Sequence, residues 1–167
     1  MAGEPEDHAL GRSRGGFGTK LHLVVSGDGV PLAATLTPGQ AHESQQVEPV
    51  LRRVRLRGRR GRHGGRPRTR PHALAGDKGY SYPTIRRYLR RRGIRPVIPT
   101  RSNQRPNPRF DRPTYRRRSI IECVVGWLKE CRRLATRFEK LAVNFLAMVH
   151  LAMLQRCLRL LLSSNRA

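Results

Sequence analysis

The sequence predicts an α/β fold, with an antiparallel hairpin at one end and parallel crossovers after it. Three features carry that expectation. Two alternating stretches flank a Gly-Asp-Gly turn near the amino end. A short apolar run at 73–77 is followed by a helix and then a second short apolar run at 94–99. Two longer stretches of helical spacing close the chain. The order is strand, strand, helix, strand, helix, strand, helix, helix, with no internal repeat.

Taken in order, residues 1–16 are rich in Gly, Arg and acids and are expected to be a flexible or extended N-terminal segment, with an α/β domain over 17–162 and a tail at 163–167. In Gly18 to Val25, Lys20, His22 and Val24 alternate with Leu21, Leu23 and Val25, which is the period of a strand. Gly27-Asp28-Gly29 supplies a turn, and Pro31 to Thr37 is the hairpin partner. Pro38-Gly39-Gln40 breaks that strand. From His42 to Val54, the apolar Val47, Val50, Leu51 and Val54 recur at helical spacing. Residues 55–70 are nearly all Arg and Gly and lack a hydrophobic period, so they read as a basic loop reaching to about residue 72. Ala73-Leu74-Ala75-Gly76-Asp77 has the pattern of a buried strand ending in an acid. Ser81 is the expected N-cap of a helix with Pro83 early in it, which runs to Arg92 and stops at Gly93. Ile94 to Pro99 is a strand, and 101–113 is a second basic loop. One long helix is expected from Tyr115 to about Lys140, and another from Val143 to Leu162.

With 167 residues, the chain has the size of one domain. Its 35 Lys and Arg against 11 Asp and Glu leave a net charge of +24, so a compact fold repels itself and a polyanionic partner would offset the charge. Arginine far outnumbers lysine, and its planar fork suits phosphate oxygens. Aromatics are only 5%, which disfavours recognition of single strands by stacking and leaves the backbone of double-stranded DNA as the better partner. In the first basic loop, Arg66, Arg68 and Arg70 are the expected phosphate contacts, against the plainer reading of a basic tract without a role. Cys123, Cys131 and Cys157 have no C-x2-C spacing and read as reduced thiols. No apolar signal segment is present near Met1. The apolar stretch 141–162 is interrupted by Asn144, His150, Gln155, Arg156 and Arg159, so it is expected to be a buried helix and no membrane partner is expected. The localisation expected is cytoplasmic.

Most of the acids lie in loops, turns or on the first helix. Two differ. Asp77 ends an apolar strand, where the sites of open α/β sheets collect, although position alone favours a turn or capping aspartate. On the long predicted helix, with Tyr115 as zero and about 100° per residue, Arg118 falls at about −60°, Glu122 at about −20° and Lys129 at about −40°. Ile120, Val124, Trp127 and Leu128 fall on the opposite side. The polar face is either the wall of a site or a solvated face held by an Arg118–Glu122 pair. His22 and His42 could line a site, but a structural role on the strand and at the helix start is the stronger reading.

Tyr115-x2-Arg118-x3-Glu122-x6-Lys129 resembles, without a gap, the signature around the last acid of a large group of bacterial insertion-sequence transposases of the DDE type. Gly11-Arg12-Ser13-Arg14-Gly15-Gly16, Thr19-Lys20-Leu21-His22, Gly39-Gln40-Ala41-His42, Asp77-Lys78-Gly79-Tyr80 and Arg92-Gly93-Ile94 resemble the same group in the same order. The resemblance implies an RNase H-like mixed sheet flanked by helices, and an endonuclease and strand-transfer activity in DNA transposition and recombination. Three acids would hold two Mg²⁺ (or Mn²⁺) ions, since hard cations take carboxylate oxygens. Asp77 would be the second acid and Glu122 the third, both catalytic and both metal ligands. Arg118 and Lys129 would contact DNA at transposon ends, Tyr115 would stack on or pack beside a nucleotide, and Lys20 would join the DNA contacts. The partners implied are double-stranded DNA, as transposon ends and target, with room for an upstream-frame polypeptide and for a homodimer.

The family's first aspartate sits on a strand ahead of the Gly-Arg-Ser segment, and Met1 precedes that segment by only ten residues. The chain is therefore expected to lack the first strand of the sheet and the first acid. Asp7 is nearby but lies in a hydrophilic stretch. A downstream frame of a two-frame element and a truncated remnant both fit. Either would bind DNA and catalyse poorly alone. The alternative from another class is a basic DNA- or RNA-binding protein that performs no chemistry.

Overall fold

The computed structural model describes residues 7–56 and 68–164. The chain divides into two compact units: residues 1–41 with 120–167, and residues 42–119. Where one mixed sheet was expected, the strands form a three-stranded antiparallel sheet in the first unit and a two-stranded parallel sheet in the second. The expected α/β class holds, and so do the hairpin and the crossover.

In the first unit, β1 (Gly11–Ser13), β2 (Gly16–Val25) and β3 (Pro31–Pro38) lie in the order β1-β2-β3. The hairpin register runs from Thr19 opposite Pro38 to Val24 opposite Ala33, and then shifts by a bulge before Val25 meets Pro31. The turn forms where the sequence placed it. Ser26 donates its N–H to the Val30 carbonyl at 2.8 Å, while its hydroxyl accepts from the Val30 N–H at 3.1 Å. Gly29 adopts φ +79°, a conformation glycine reaches without a Cβ clash.

The period of two directs Leu21 and Leu23 to one face of the hairpin, where they pack against two helices. Val124 and Leu128 come from α4 (Ile120–Glu130). Phe145, Val149 and Met153 come from α6 (Ala142–Ser164) and enclose Ala34. Fully burying a side chain such as Val149 or Leu128 contributes about 1.5–3 kcal/mol, so these few contacts hold the helices on the sheet. The other face, carrying His22, Val24, Ala33, Thr35 and Thr37, is buried as well.

The second unit opens with a 3-10 turn over Glu43–Gln46 that leads into α1 (Val47–Arg53), a tighter start than the single helix expected. Leu56 and Arg68 pair in an antiparallel bridge, with both backbone bonds made, at 2.7 and 2.9 Å. Next comes the parallel crossover: β4 (Ala73–Ala75), α2 (Pro83–Arg91) and β5 (Arg95–Val97), with Ala73 opposite Arg95 and Ala75 opposite Val97. Pro83 stands at the start of α2, where its missing N–H costs nothing. The cap residue is Tyr82, not Ser81, and Ser81 is fully buried instead, donating its hydroxyl to Gln104 Oε1 at 2.6 Å. α2 ends as expected at Gly93 (φ +69°). Ile94 N–H bonds the Leu89 carbonyl and Gly93 N–H the Arg90 carbonyl, both at 2.9 Å, which is the Schellman pattern.

The long helix expected from Tyr115 to Lys140 is not continuous. It consists of α3 (Arg112–Arg116), a 3-10 turn over Arg117–Ser119, α4, and α5 (Arg132–Ala135). The first break coincides with three successive arginines and with Ser119, whose hydroxyl donates to the Arg116 carbonyl at 3.2 Å and so competes with the helix ladder. At the second break Cys131 is extended (φ −73°, ψ 99°).

Helix α6 departs from expectation too. It is not a buried helix. Ala142, Phe145, Val149, Ala152 and Met153 are inside, while Val143, Leu151, Leu154, Leu158, Leu161 and Leu162 are more than half exposed. By length and composition alone, α6 is long and apolar enough to cross a membrane, and only 22% of its most apolar window is buried. All three cysteines are free thiols.

Two glycines should respond oppositely to the same change. A Cβ on Gly39 would lie 2.6 Å from the Gly11 carbonyl oxygen and 3.0 Å from that of Gly18, both backbone atoms that cannot swing away. A Cβ on Gly126, in the middle of α4, meets nothing within 4 Å. Gly39→Ala is expected to destabilise the fold by about 1–3 kcal/mol. Gly126→Ala is expected to stabilise it by about 1 kcal/mol through helix propensity. Urea unfolding of the two variants reads both signs.

Candidate functional site

The residues singled out from the sequence are shared between the two units. Asp77, Arg68, Arg70, Tyr115 and Arg118 belong to the second, and Lys20, Glu122 and Lys129 to the first. Arg66 lies outside the described residues.

In the second unit, β4 and β5 run parallel and their carboxyl ends lead into the Asp77 turn and the segment at Arg101. Asp77 is exposed, and its Oδ1 accepts the Gly79 N–H at 2.7 Å, capping a 3-10 turn over Lys78–Tyr80. A Cβ on residue 79 would come within 2.8 Å of that oxygen, which explains why glycine follows the Asp-Lys pair. Asp77 thus fills the capping role that was its plainer reading, while Oδ2 is not used by the cap.

Arg101 closes the turn from the other strand end. Its Nε donates to the Lys78 carbonyl and its Nη2 to the Gly79 carbonyl, each at 3.1 Å, and the guanidinium lies 4.4 Å from the centre of the Tyr82 ring. Tyr82 Oη shares a 3.1 Å hydrogen bond with His42 Nε2, and His42 Nδ1 is 2.6 Å from Ser44 Oγ. His42 therefore has the structural role expected of it. The Tyr80 hydroxyl is pushed up to about 12 by burial, and further by the negative charges of Glu43 and Asp77. Behind this end, Arg86 Nη2 lies within 2.9–3.1 Å of Ser81 Oγ and of the Ile98 and Pro99 carbonyls, fastening α2 to the segment after β5.

Further along, Tyr115 packs against Phe110 with ring centres 5.3 Å apart, and Arg118 lies 5.8 Å over the Tyr115 ring. Asp111 caps α3 through the Thr114 N–H at 3.0 Å and pairs with Arg95 at 2.8 Å. The Thr114 hydrogen bonds, with Arg95 after them, hold its carboxyl below the usual range. Arg68 is half-buried, its Nη1 3.3 Å from His72 Nε2, and Arg70 is exposed.

In the first unit, Glu122 and Lys129 are both exposed on α4, and seven residues of helix bring them to the same side, opposite the buried Val124 and Leu128. Tyr115 and Arg118, expected on one continuous helix with Glu122 and Lys129, lie on α3 and the 3-10 turn that precede α4. Lys20 Nζ donates to the Ala41 carbonyl at 2.9 Å. His22 pairs with Thr37 at 2.8 Å across the hairpin and is buried. Trp127 is half-buried beside Val124 and Leu128.

Sequence reasoning missed a cleft of about 480 Å³ in the first unit, walled by Phe17, Leu134, Arg137, Phe138, Glu139 and Lys140. Arg137 anchors it, donating to Thr19 Oγ1 and to the Glu139 and Lys140 carbonyls, each carbonyl at 2.8 Å. The signal was an Arg-Phe-Glu-Lys run between helices, with no period to assign it. Among the described residues, no group of three or more His, Cys, Asp or Glu is assembled to hold a metal ion.

An exposed carboxylate thus follows a parallel strand in the second unit, a second stands on a helix face in the first, and the chain is strongly basic. Residues 3–155 match the model of the transposase DDE domain, and the chain belongs to that family. A protein named as a transposase for insertion sequence element IS402, from Burkholderia cepacia, is 34% identical over 141 residues, 84% of this chain and 63% of that relative. One named as a transposase for insertion sequence element IS6501, from Brucella ovis, is 33% identical over 138 residues, 80% of this chain and 93% of that relative. The chain thus spans just under two thirds of the IS402 relative's length. These relatives bear out the resemblance read from the Tyr-Arg-Glu-Lys signature. Proteins of this family are generally metal-dependent and act on DNA. No solved structure matches the chain.

The Tyr80 environment can be tested by titration. A phenol whose pKa is raised in the folded state contributes stability below its unfolded value near 10, lost as pH rises through about 12. Alkaline absorbance titration should show one phenolate appearing at about 12, absent in Tyr80→Phe and moved downward in Glu43→Gln. A titration that ends without a late step contradicts this placement.

Proposed function

We propose that this chain acts in DNA transposition, supplying two of the acids of an RNase H-like catalytic domain: Asp77 as the second and Glu122 as the third. The reaction is phosphoryl transfer. Attack by water on a backbone phosphorus displaces a 3′-oxygen and nicks the strand, and attack by the resulting 3′-hydroxyl on a target phosphorus displaces the target strand's own 3′-oxygen and joins the two. The observation that carries the reading is the exposure of both carboxylates in a chain where acids are outnumbered by 11 to 35. An exposed acid on so basic a surface stands among phosphate-binding groups, where a reacting phosphate would be held. Tyr115, Arg118, Lys129, Lys20, Arg66, Arg68 and Arg70 are the proposed contacts to double-stranded DNA, at transposon ends and target, in the cytoplasm at the nucleoid.

The resemblance implies two Mg²⁺ or Mn²⁺ ions. The described residues do not fit that requirement by themselves: no three-ligand group is formed, and Asp77 already uses one oxygen as a cap. Two hard cations need several carboxylate oxygens, so the isolated chain is expected to bind DNA and to cleave it poorly. The missing three-acid group also favours, for the chain on its own, the second reading: a basic protein that binds DNA without chemistry.

A nicking and strand-transfer assay in Mg²⁺ or Mn²⁺ separates these readings. The isolated chain should nick no faster than its Glu122→Gln variant. The chain fused to its upstream coding frame should nick and join strands, and lose at least about a hundredfold in rate on Glu122→Gln or Asp77→Asn. Robust nicking by the isolated chain, abolished in Asp77→Ala, would show that two carboxylates suffice. Activity of the fusion untouched by either substitution would overturn the assignment of both acids. An inactive fusion that still binds duplex would establish the second reading.

A further inference from the structure

We propose that His42, Tyr82 and Arg101 act together as a positioning brace that holds the Asp77 carboxylate in one orientation. His42 serves the brace through Nε2, beyond its role as a cap. The proposal deepens the reading of Asp77 as a catalytic acid and rests on it. All four residues belong to the second unit. Asp77 follows β4 and Arg101 follows β5, so the parallel pairing of the two strands delivers both to the same end of the sheet. The carboxylate is fixed locally by the 2.7 Å bond that Oδ1 accepts from the Gly79 N–H. The 3-10 turn that carries this N–H is then held from outside. The Arg101 guanidinium spans it, with Nε on the Lys78 carbonyl and Nη2 on the Gly79 carbonyl, each at 3.1 Å. Two donors from one planar group fix both the place and the tilt of the turn, which a point charge cannot do.

The guanidinium must itself be oriented, because an arginine side chain has many rotamers to lose. Gln104 Oε1 accepts the Arg101 backbone N–H at 3.1 Å, and the Tyr82 ring lies beneath the guanidinium, 4.4 Å from its centre and within cation–π range. Tyr82 is placed by His42. Its Oη is 3.1 Å from His42 Nε2, and the two rings meet edge to face at 75° with centres 5.5 Å apart. His42 Nδ1 accepts the Ser44 N–H at 3.3 Å, so the neutral ring carries its proton on Nε2 and donates it to Tyr82 Oη. Residues far apart in sequence thus converge on one turn. Stability does not ask for this. His42, Asp77, Lys78 and Gly79 are exposed, where a bond to protein replaces a bond to water at little net gain. The unit has its core elsewhere, in Leu51, Leu89, Ile94 and Ile98. What the brace fixes is the direction of a carboxylate, which matters little to a cap and greatly to a group that must meet a reacting phosphate.

Two substitutions of His42 separate the brace from the cap. Asparagine puts an acceptor where Nδ1 stands and caps the Glu43–Gln46 turn, but it does not reach Tyr82. Glutamine carries an N–H out to the Nε2 position and reaches Tyr82. In the ¹⁵N-labelled full chain, the Gly79 amide proton reports the bond to Asp77. It is expected to move upfield in His42→Asn, Tyr82→Phe and Arg101→Lys while Tm changes little, and to stay in place in His42→Gln. A capping role alone predicts the reverse order for the two His42 variants. An amide indifferent to Tyr82→Phe and Arg101→Lys overturns the proposal, and so does one that moves as far in His42→Gln as in His42→Asn. Nicking by the chain fused to its upstream coding frame reads the consequence: kcat should fall at least about tenfold in His42→Asn and Tyr82→Phe, with KM unchanged. Loss of nicking on Asp77→Asn without loss on His42→Asn overturns the proposal and leaves the Asp77 reading standing. Indifference to Asp77→Asn overturns that reading, while the amide shift still decides the brace.

Discussion

Everything in this structure is arranged around a shortage of negative charge. Arginines outnumber the available carboxylates so heavily that the fold cannot satisfy them by ion pairing, and it uses backbone carbonyls and aromatic faces instead. Arg86, Arg101 and Arg137 each bind two successive carbonyls, and in so doing fix the chain at the end of β5, at the Asp77 turn and before α6. Arg92, Arg101, Arg118, Arg137, Arg156 and Arg159 lie over Tyr88, Tyr82, Tyr115, Phe145 and Trp127. The guanidinium suits both roles, since it is planar, weakly hydrated and always charged. Ion pairs such as Arg52–Glu48 and Arg95–Asp111 occur, but at exposed positions where a pair contributes little.

Against this background Asp77 and Glu122, the two acids proposed for the site, both stand exposed. Asp77 is set by the parallel crossover: β4 delivers the chain, the Gly79 N–H fixes the carboxylate, and Arg101 ties the turn to the next strand. Glu122 is set by the opposite face of its own helix, where Val124 and Leu128 bury against the hairpin and fix the rotation of α4. The positive charge that is left over is what the proposed function sets against the DNA backbone.

The hairpin and the crossover were legible because their determinants are local. A Gly-Asp-Gly turn between alternating strands, Pro83 at a helix start and Gly93 in a left-handed cap each act within a few residues. Asp77 and the Glu122–Lys129 face were legible for the same reason, one from a strand end and the other from a helical repeat. What failed depended on residues far apart or on competition within a turn. The single long helix was lost because Ser119 and its neighbouring arginines tighten the backbone into a 3-10 turn. Ser81 looked like a cap, but Gln104, distant in sequence, draws it inside. The outer face of α6 looked like core because apolar composition does not say what, if anything, stands opposite. Gly11 and Gly39 lay in segments that carried the family resemblance, and only the structure gives the reason: their backbones pass too close for a Cβ on residue 39.

The central claim is that the unneutralised arginines form a surface for the DNA backbone. Duplex affinity as a function of salt, read by fluorescence anisotropy, tests it most directly. Contact with six or more phosphates predicts a straight log–log line, with about a thousandfold loss between roughly 50 and 200 mM salt and little dependence on sequence. An affinity that falls less than about tenfold over that range would contradict the account, because it would mean that the charge of this fold is not directed at phosphates.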